Sequence, residues 1–392
     1  MVATANISEA RRLGLDPDRL LKLKRVTEED TAHGLYDGAA FLVAREGTVV
    51  LHEAVGHSDL ASGRKTKTDD VFFIMSITKQ FTATRVLMAI EEGKFTLTTP
   101  IKDLIPEFGI KGKQNITVAH ILTHTSGLNT EIPFTFPMDK LGSIEAVVAA
   151  LSNERVLFMP GTIVTYNPVM AHALVAAMVQ RSDEKQRPFR EILAQDLFAP
   201  LGMQETALGL PERLKKRIVP VVVRDTTPGL FDPLLMEGMN YLAAEDTEVP
   251  SGGAVSTVHD VFLFAEMLRR GGQLNGNRVL SPETVELATT NQTGELPNHL
   301  MDYMREMYGW PEIPAHLGLT FFVRGTGLYP TPLGLNTSAR TFGGLGAGST
   351  VFWVDPERAL TYVFLSAGLM EEGHSMMRHQ RLSDMVVASV VD

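Results

Sequence analysis

Ser76 and Lys79 lie three residues apart in Met75-Ser76-Ile77-Thr78-Lys79, a spacing that puts both side chains on one face of a helix. A hydroxyl beside an amine becomes a nucleophile beside a general base once the amine is neutral. Two effects favour that neutral form. The N-terminus of a helix, with free N–H groups and a positive dipole end, disfavours an ammonium ion. Burial lowers a lysine pKa from its ordinary value of about 10.4. Ser-x-x-Lys also occurs at Ser62 to Lys65 and at Ser182 to Lys185. The first reads as a polar hairpin turn, Ala61-Ser62-Gly63-Arg64-Lys65, and the second as a solvated connection between helices. Only the middle one opens an apolar helix. Helix N-cap is the competing role for Ser76.

The elements that would position this pair follow from periodicity. A short apolar run, Val71 to Met75, leads into a helix to about Glu92. Ile77, Phe81, Thr84 and Met88 form its stripe, and Gly93 ends it. Asp16-Pro17 opens an earlier helix that ends near His33-Gly34. The runs 39–44 and 48–52 flank Arg45-Glu46-Gly47 and read as an antiparallel hairpin. His52-Glu53 with His57 is one residue too long for the His-Glu-x-x-His metal motif and lies on that strand, so no metal site is expected.

Further along, a short helix 119–123 runs into His124-Thr125-Ser126-Gly127-Leu128, where His124 reads as a hydrogen-bonded structural donor rather than a catalytic group. Helices are expected over Gly142 to Asn153, Val169 to Arg181 and Phe189 to Phe198. Leu208 to Pro250, with five prolines and little periodicity, reads as connection and pocket wall. A helix from Thr257 to Arg270 is stopped by Gly271-Gly272. Met301, Met304 and Met307 at helical spacing read as core, with a methionine-lined pocket as the sharper alternative. Strands 349–354 and 360–365 flank Asp355-Pro356-Glu357-Arg358, and a last helix covers His374 to Val391. Strands at both ends with helices between them predict one sheet assembled from both termini around a helical insertion.

Composition narrows the function classes. The net charge of −10 with interspersed signs argues against nucleic acid and anionic membrane as partners. The absence of cysteine excludes disulfides, a cysteine nucleophile and thiolate metal sites. No apolar run approaches the roughly 20 residues of a membrane span. The stretch Met1 to Leu20 has no apolar leader core, so a cytoplasmic location is expected. No Gly-x-Ser-x-Gly elbow occurs, which disfavours an α/β-hydrolase.

The chain resembles the class C β-lactamase-like serine hydrolases, a group that includes penicillin-binding D,D-peptidases, family VIII carboxylesterases and related acyltransferases. The motifs carrying this are Phe73-x-x-Ser76-x-x-Lys79, Ile121-Leu122-Thr123-His124-Thr125-Ser126-Gly127-Leu128, Pro160-Gly161 ahead of Tyr166, Pro200-Leu201-Gly202-Met203, Gly252-Gly253, and Phe352-Trp353-Val354-Asp355-Pro356. Together they cover about Leu20 to Val387. The resemblance implies an α+β fold of the β-lactamase/D,D-peptidase type. In it, residues 17–75 and 250–392 form an antiparallel sheet flanked by helices, 76–249 form a mainly helical region, and the site lies at the junction.

It further implies Ser76 as acylated nucleophile, Lys79 as its base and Tyr166 as proton relay. The backbone N–H groups of Ser76 and Ala347 would form the oxyanion hole, and Asn167, Gly344, Leu345 and Gly346 would line the substrate pocket. No cofactor or metal is implied. The chain departs from the family twice: Tyr166 is followed by Asn167-Pro168 instead of x-Asn, and Gly344-Leu345-Gly346 replaces a Lys-Thr-Gly element.

The reaction expected is hydrolysis of short-chain or small apolar esters, small molecules, through acyl-Ser76. Alternatives are acyl transfer, a β-lactamase or D,D-peptidase, and a non-catalytic penicillin-binding-like protein. The last is disfavoured because a pure binder needs none of the proton chemistry of Ser76, Lys79 and Tyr166.

Overall fold

The computed structural model describes residues 6–391; residues 1–5, part of the stretch read for a leader, lie outside them. Asp16 caps the first long helix, α1 (Pro17–Ala32), by accepting from the N–H of Asp18 at 2.9 Å, with Pro17 at the first helical position. The hairpin that follows joins β1 (Gly38–Arg45) to β2 (Thr48–Asp59). Its turn puts Glu46 and Gly47 at φ 53° and 80°, the left-handed pair that matches strand twist in two-residue hairpins. β2 continues into a short β3 (Arg64–Lys65). From the other end of the chain come β4 (Phe322–Val323), β5 (Phe342–Gly346), β6 (Thr350–Asp355) and β7 (Leu360–Ala367).

These seven strands form one sheet in the order β3-β2-β1-β7-β6-β5-β4, antiparallel throughout. β1 and β7 pair from Gly38↔Ala367 to Arg45↔Leu360, so the two ends of the chain meet at the sheet centre. Both faces of the central strands are buried, which explains their unbroken apolar runs. Phe41, Val43, Trp353 and Phe364 pack with Leu20 and Leu23 of α1 and with Leu382 and Val386 of the C-terminal helix Glu372–Val387. The alternate residues Ala40, Leu42, Phe352 and Val363 face Phe81, Val258 and Phe264 on the helical side.

On that side, α2 (Thr78–Glu91) runs through the middle of the molecule. Its residues are buried all round from Thr78 to Leu87, not along one stripe. Two of its polar members bond distant segments: Thr82 donates to the carbonyl of Pro250 at 2.7 Å and Arg85 reaches Asp196 at 3.2 Å. Helices α4 (His172–Ser182) and α5 (Val258–Arg269) pack against it, α3 (Ile144–Asn153) packs on α4, and Glu372–Val387 is α6. Glu53 of the rejected metal pattern lies on β2 and is paired with Lys24 of α1 at 3.1 Å. Among the described residues, no helix is long and apolar enough to cross a membrane.

Candidate active site

Ser76 stands in a 3-10 turn, Met75–Ile77, that leads directly into α2. The preceding Met75 has φ 49°, a left-handed conformation that costs a non-glycine residue about 1–2 kcal/mol. Surrounding backbone holds it there. Ile74 N–H donates to the carbonyl of Ala254 at 3.1 Å, and Thr350 donates to the carbonyl of Ile74 at 3.0 Å. Thr78 donates to the carbonyl of Met75 at 2.7 Å while accepting from Ala254 N–H at 3.0 Å. The turn is thus fixed between β6 and the short strand Ala254–Ser256.

Lys79 is 1% exposed, and burial pushes its pKa well below the ordinary lysine value. Its Nζ lies 2.7 Å from the carbonyl of Pro168, 2.8 Å from the carbonyl of Ser251 and 3.0 Å from Ser76 Oγ. A neutral amine has two hydrogens and one lone pair. Donating both hydrogens to the two carbonyls turns the lone pair toward the Ser76 hydroxyl. Neither carbonyl was evident from sequence, because a backbone acceptor leaves no residue-type signal.

Tyr166 completes the cluster. Lys79 Nζ sits 4.9 Å from the centre of its ring, and the Ser76 hydroxyl interacts with the phenol. Burial pushes the phenol pKa upward, and the Ser76 contact offsets part of that shift. The ring also lies against His124, with centroids 4.5 Å apart. His124 is not the hydrogen-bonded side chain expected from sequence. Both ring nitrogens are buried without a partner among the described residues, and burial lowers its pKa to about 3. Its backbone carbonyl holds Thr165 N–H at 2.8 Å, so His124 positions Tyr166 from two sides.

The four expected pocket residues separate. Asn167 is 2% exposed and does not reach the pocket. Its Oδ1 accepts from Met170 and Ala171 N–H at 2.8 and 3.0 Å, and its Nδ2 donates to the carbonyl of Asn129 at 2.7 Å. Gly344 faces α2, where an added Cβ would lie 2.5 Å from Gln80 Oε1. At Gly346 a Cβ would lie 2.1 Å from Thr350 Oγ1 and 2.5 Å from the carbonyl of Ile74. Leu345, on the opposite side of the strand, does line the pocket. The glycines allow β5 to lie against the Ser76 turn, and Ala347 follows at the strand's end. Among the described residues, neither Ser76 nor Ala347 N–H has a backbone acceptor. Gly346→Ala is therefore expected to force β5 away from Ile74, lowering stability by roughly 1–3 kcal/mol and slowing Ser76 labelling. Chemical denaturation and a labelling time course measure the two effects.

Two chambers open at Ser76. One, of about 860 Å³, is walled by apolar side chains including Ile132, Val169, Leu235, Met239 and Leu242. Much of that wall belongs to the proline-rich segment expected to be pocket wall. The other, of about 50 Å³, is lined by Tyr166, Leu345, Met301 and Met304, so these methionines serve both core and pocket. The charged side chains lining the two chambers are Asp139, Asp246 and Glu372.

The Beta-lactamase family model matches residues 23–383. The chain belongs to the beta-lactamase family. It is 28% identical to Esterase EstB of Burkholderia gladioli over 290 residues, covering 66% of this chain and 70% of that protein. A penicillin-binding protein homologue from Caulobacter crescentus superposes with a TM-score of 0.77 at 23% identity, covering 96% of this chain and 99% of that one. A family VIII carboxylesterase superposes at 0.75 and 20% identity, covering 93% and 97%. At those identities the two structures speak for the fold, which is that of beta-lactamases and penicillin-binding proteins. The chain is a serine hydrolase of the beta-lactamase family.

Proposed function

We propose that this beta-lactamase-family protein is a carboxylesterase working through an acyl-Ser76 intermediate. The observation that carries the reading is the buried Lys79 amine, anchored by the Pro168 and Ser251 carbonyls and 3.0 Å from Ser76 Oγ. The Ser76 proton passes to Lys79, directly or through Tyr166, as Oγ attacks the ester carbonyl carbon. The oxyanion that forms accepts from the N–H groups of Ser76 and Ala347. The carbon–alkoxide bond then breaks, the alkoxide takes a proton from Tyr166, and Tyr166 is reprotonated from Lys79. Water, deprotonated by the same pair, attacks the acyl carbon, and the acid departs as Ser76 regains its proton.

The chambers favour a neutral, apolar substrate. Their charged linings are all acidic, and the wall strand carries Gly344 and Leu345 where the resemblance would put the Lys and Thr that hold a β-lactam's carboxylate. Losing such a charge-assisted hydrogen bond costs about 1.5–3 kcal/mol, one to two decades in rate. A higher kcat/KM for p-nitrophenyl butyrate than for nitrocefin is expected, and the reverse order would overturn the esterase assignment. The same assay with an added alcohol, monitored for the transferred ester, separates hydrolysis from acyl transfer. EstB, an esterase by name, supports the reading. The expectation of a short acyl group came from missing polar contacts; the 860 Å³ chamber widens the range to larger apolar groups.

A further inference from the structure

The two chambers share Ser76, Ala347 and Phe231. Ser76 and Ala347 supply the hydroxyl and the oxyanion N–H. Phe231 is the remaining shared residue, so it lies where the two chambers adjoin. It sits on a strap, residues 225–231, that is fastened to the start of α6. Glu372 Oε2 accepts from Leu230 N–H at 3.0 Å, and the same carboxylate takes Phe231 N–H. The strap lies so close that a Cβ on Gly229 would sit 2.8 Å from that oxygen. Tyr303 donates to the carbonyl of Pro228. Asp225 bonds His374 Nδ1 at 2.6 Å and Thr227 N–H at 3.1 Å. Phe231 is therefore held by its backbone, independently of any substrate.

The chambers are not equivalent with respect to proton supply. Tyr166 lines the small one, whereas Pro168 and Val169 form the large chamber's boundary on that side. A leaving alkoxide must lie within hydrogen-bond reach of its proton donor. The alcohol portion of an ester therefore belongs in the small chamber and the acyl portion in the large one.

We propose that Phe231 is a specificity-determining residue that partitions an acyl chamber from an alcohol chamber, with Glu372 as the positioning residue that holds it. The preferred substrates are esters of large apolar acids with small alcohols. The proposal rests on the acyl-Ser76 reading.

Methyl octanoate and its isomer heptyl acetate test it, since they have the same atoms and opposite distributions of bulk. The wild type should favour methyl octanoate in kcat/KM by at least about tenfold, measured by acid release. Phe231→Ala, which joins the chambers, should bring the two within about threefold of each other, chiefly by raising heptyl acetate. Phe231→Trp should keep or widen the gap. Glu372→Ala should follow Phe231→Ala, whereas Glu372→Gln, whose amide oxygen still accepts from the strap, should retain the wild-type ratio.

Vinyl acetate, activated and small on both sides of the ester bond, serves as the control for the underlying chemistry. If the wild type hydrolyses it but shows no preference, or prefers heptyl acetate, the chamber assignment is overturned alone. If the preference exists but survives Phe231→Ala, the partition is overturned. Failure to hydrolyse vinyl acetate removes the esterase reading and this inference with it.

Discussion

Ser76→Ala is expected to give a folded protein whose ester turnover has fallen on the order of 10⁴–10⁶-fold. The fold should survive because the Met75–Ile77 turn is held by Thr78, Ala254 and Thr350, not by the Ser76 hydroxyl. That hydroxyl bonds Lys79, which keeps its two carbonyl partners when the oxygen is removed. The other Ser-x-x-Lys serines provide controls. Ser62 donates to Asp59 at 2.6 Å in the exposed turn after β2, and Ser182 donates to the carbonyl of Val179 at 3.0 Å at the end of α4. Alanine at either position should leave turnover near wild type. Intact-mass measurement after a slow fluorophosphonate, followed by peptide mapping, should locate one adduct on Ser76. An adduct on any other residue overturns the nucleophile assignment.

Lys79→Arg should be nearly as damaging as Lys79→Ala, with a loss of about 10²–10⁴-fold in kcat/KM. Guanidinium stays protonated and cannot accept the Ser76 proton, so preserving positive charge preserves nothing that the reaction uses. The pH dependence has a definite sign. Burial lowers the Lys79 pKa, so the active amine form gains population as pH rises through that depressed value, and activity falls on the acid side. Tyr166 is shifted the opposite way by burial, so its ionisation imposes no alkaline limb below the ordinary phenol range. His124, lowered to about 3, is neutral throughout an assay from pH 5 to about 9.5 and adds no limb there. A profile of kcat/KM that declines with rising pH, or appreciable turnover by Lys79→Arg, would assign the base elsewhere.

Elements with a regular pattern were legible in the sequence. α1 and α5 carry a 3.6-residue period bounded by caps, and the β1–β2 and β6–β7 hairpins show short apolar runs on either side of a turn. α2 was legible as a helix, yet its surroundings were not: it is enclosed on every side from Thr78 to Leu87, and the buried Thr78 and Thr82 lay off the expected stripe. β5 shows why a strand can lack any strand signal. Three of its five residues are glycine, because Gly343 lies against the backbone of Phe352, Gly344 against Gln80 and Gly346 against Ile74. Close approach of neighbouring backbones removed the branched side chains that mark other strands, and only its distance from Trp353-Val354-Asp355 revealed it.

The site divides along similar lines. Ser76 and Lys79 were legible because one helical turn fixes their spacing. Tyr166 lies on an irregular segment whose path is set by His124, residues away in sequence. Adjacency misled at Asn167, which turns inward to bond the backbone of Met170 and Ala171. Phe231 carried no signal, since the strap's position depends on Glu372 from the other end of the chain.

The pairing of β1 with β7 also sets a timetable for synthesis. Residues 46–359 separate the two strands, so at ~5–20 residues per second a ribosome needs roughly 15–60 s to deliver the partner. Throughout that interval the β1–β2 hairpin has an open, apolar edge of the kind that recruits other strands. Ser76 and Lys79 emerge long before Ala347 and the strand wall. The nascent chain therefore passes through a long aggregation-exposed period in which the proposed nucleophile is already made and the second proposed oxyanion donor is not.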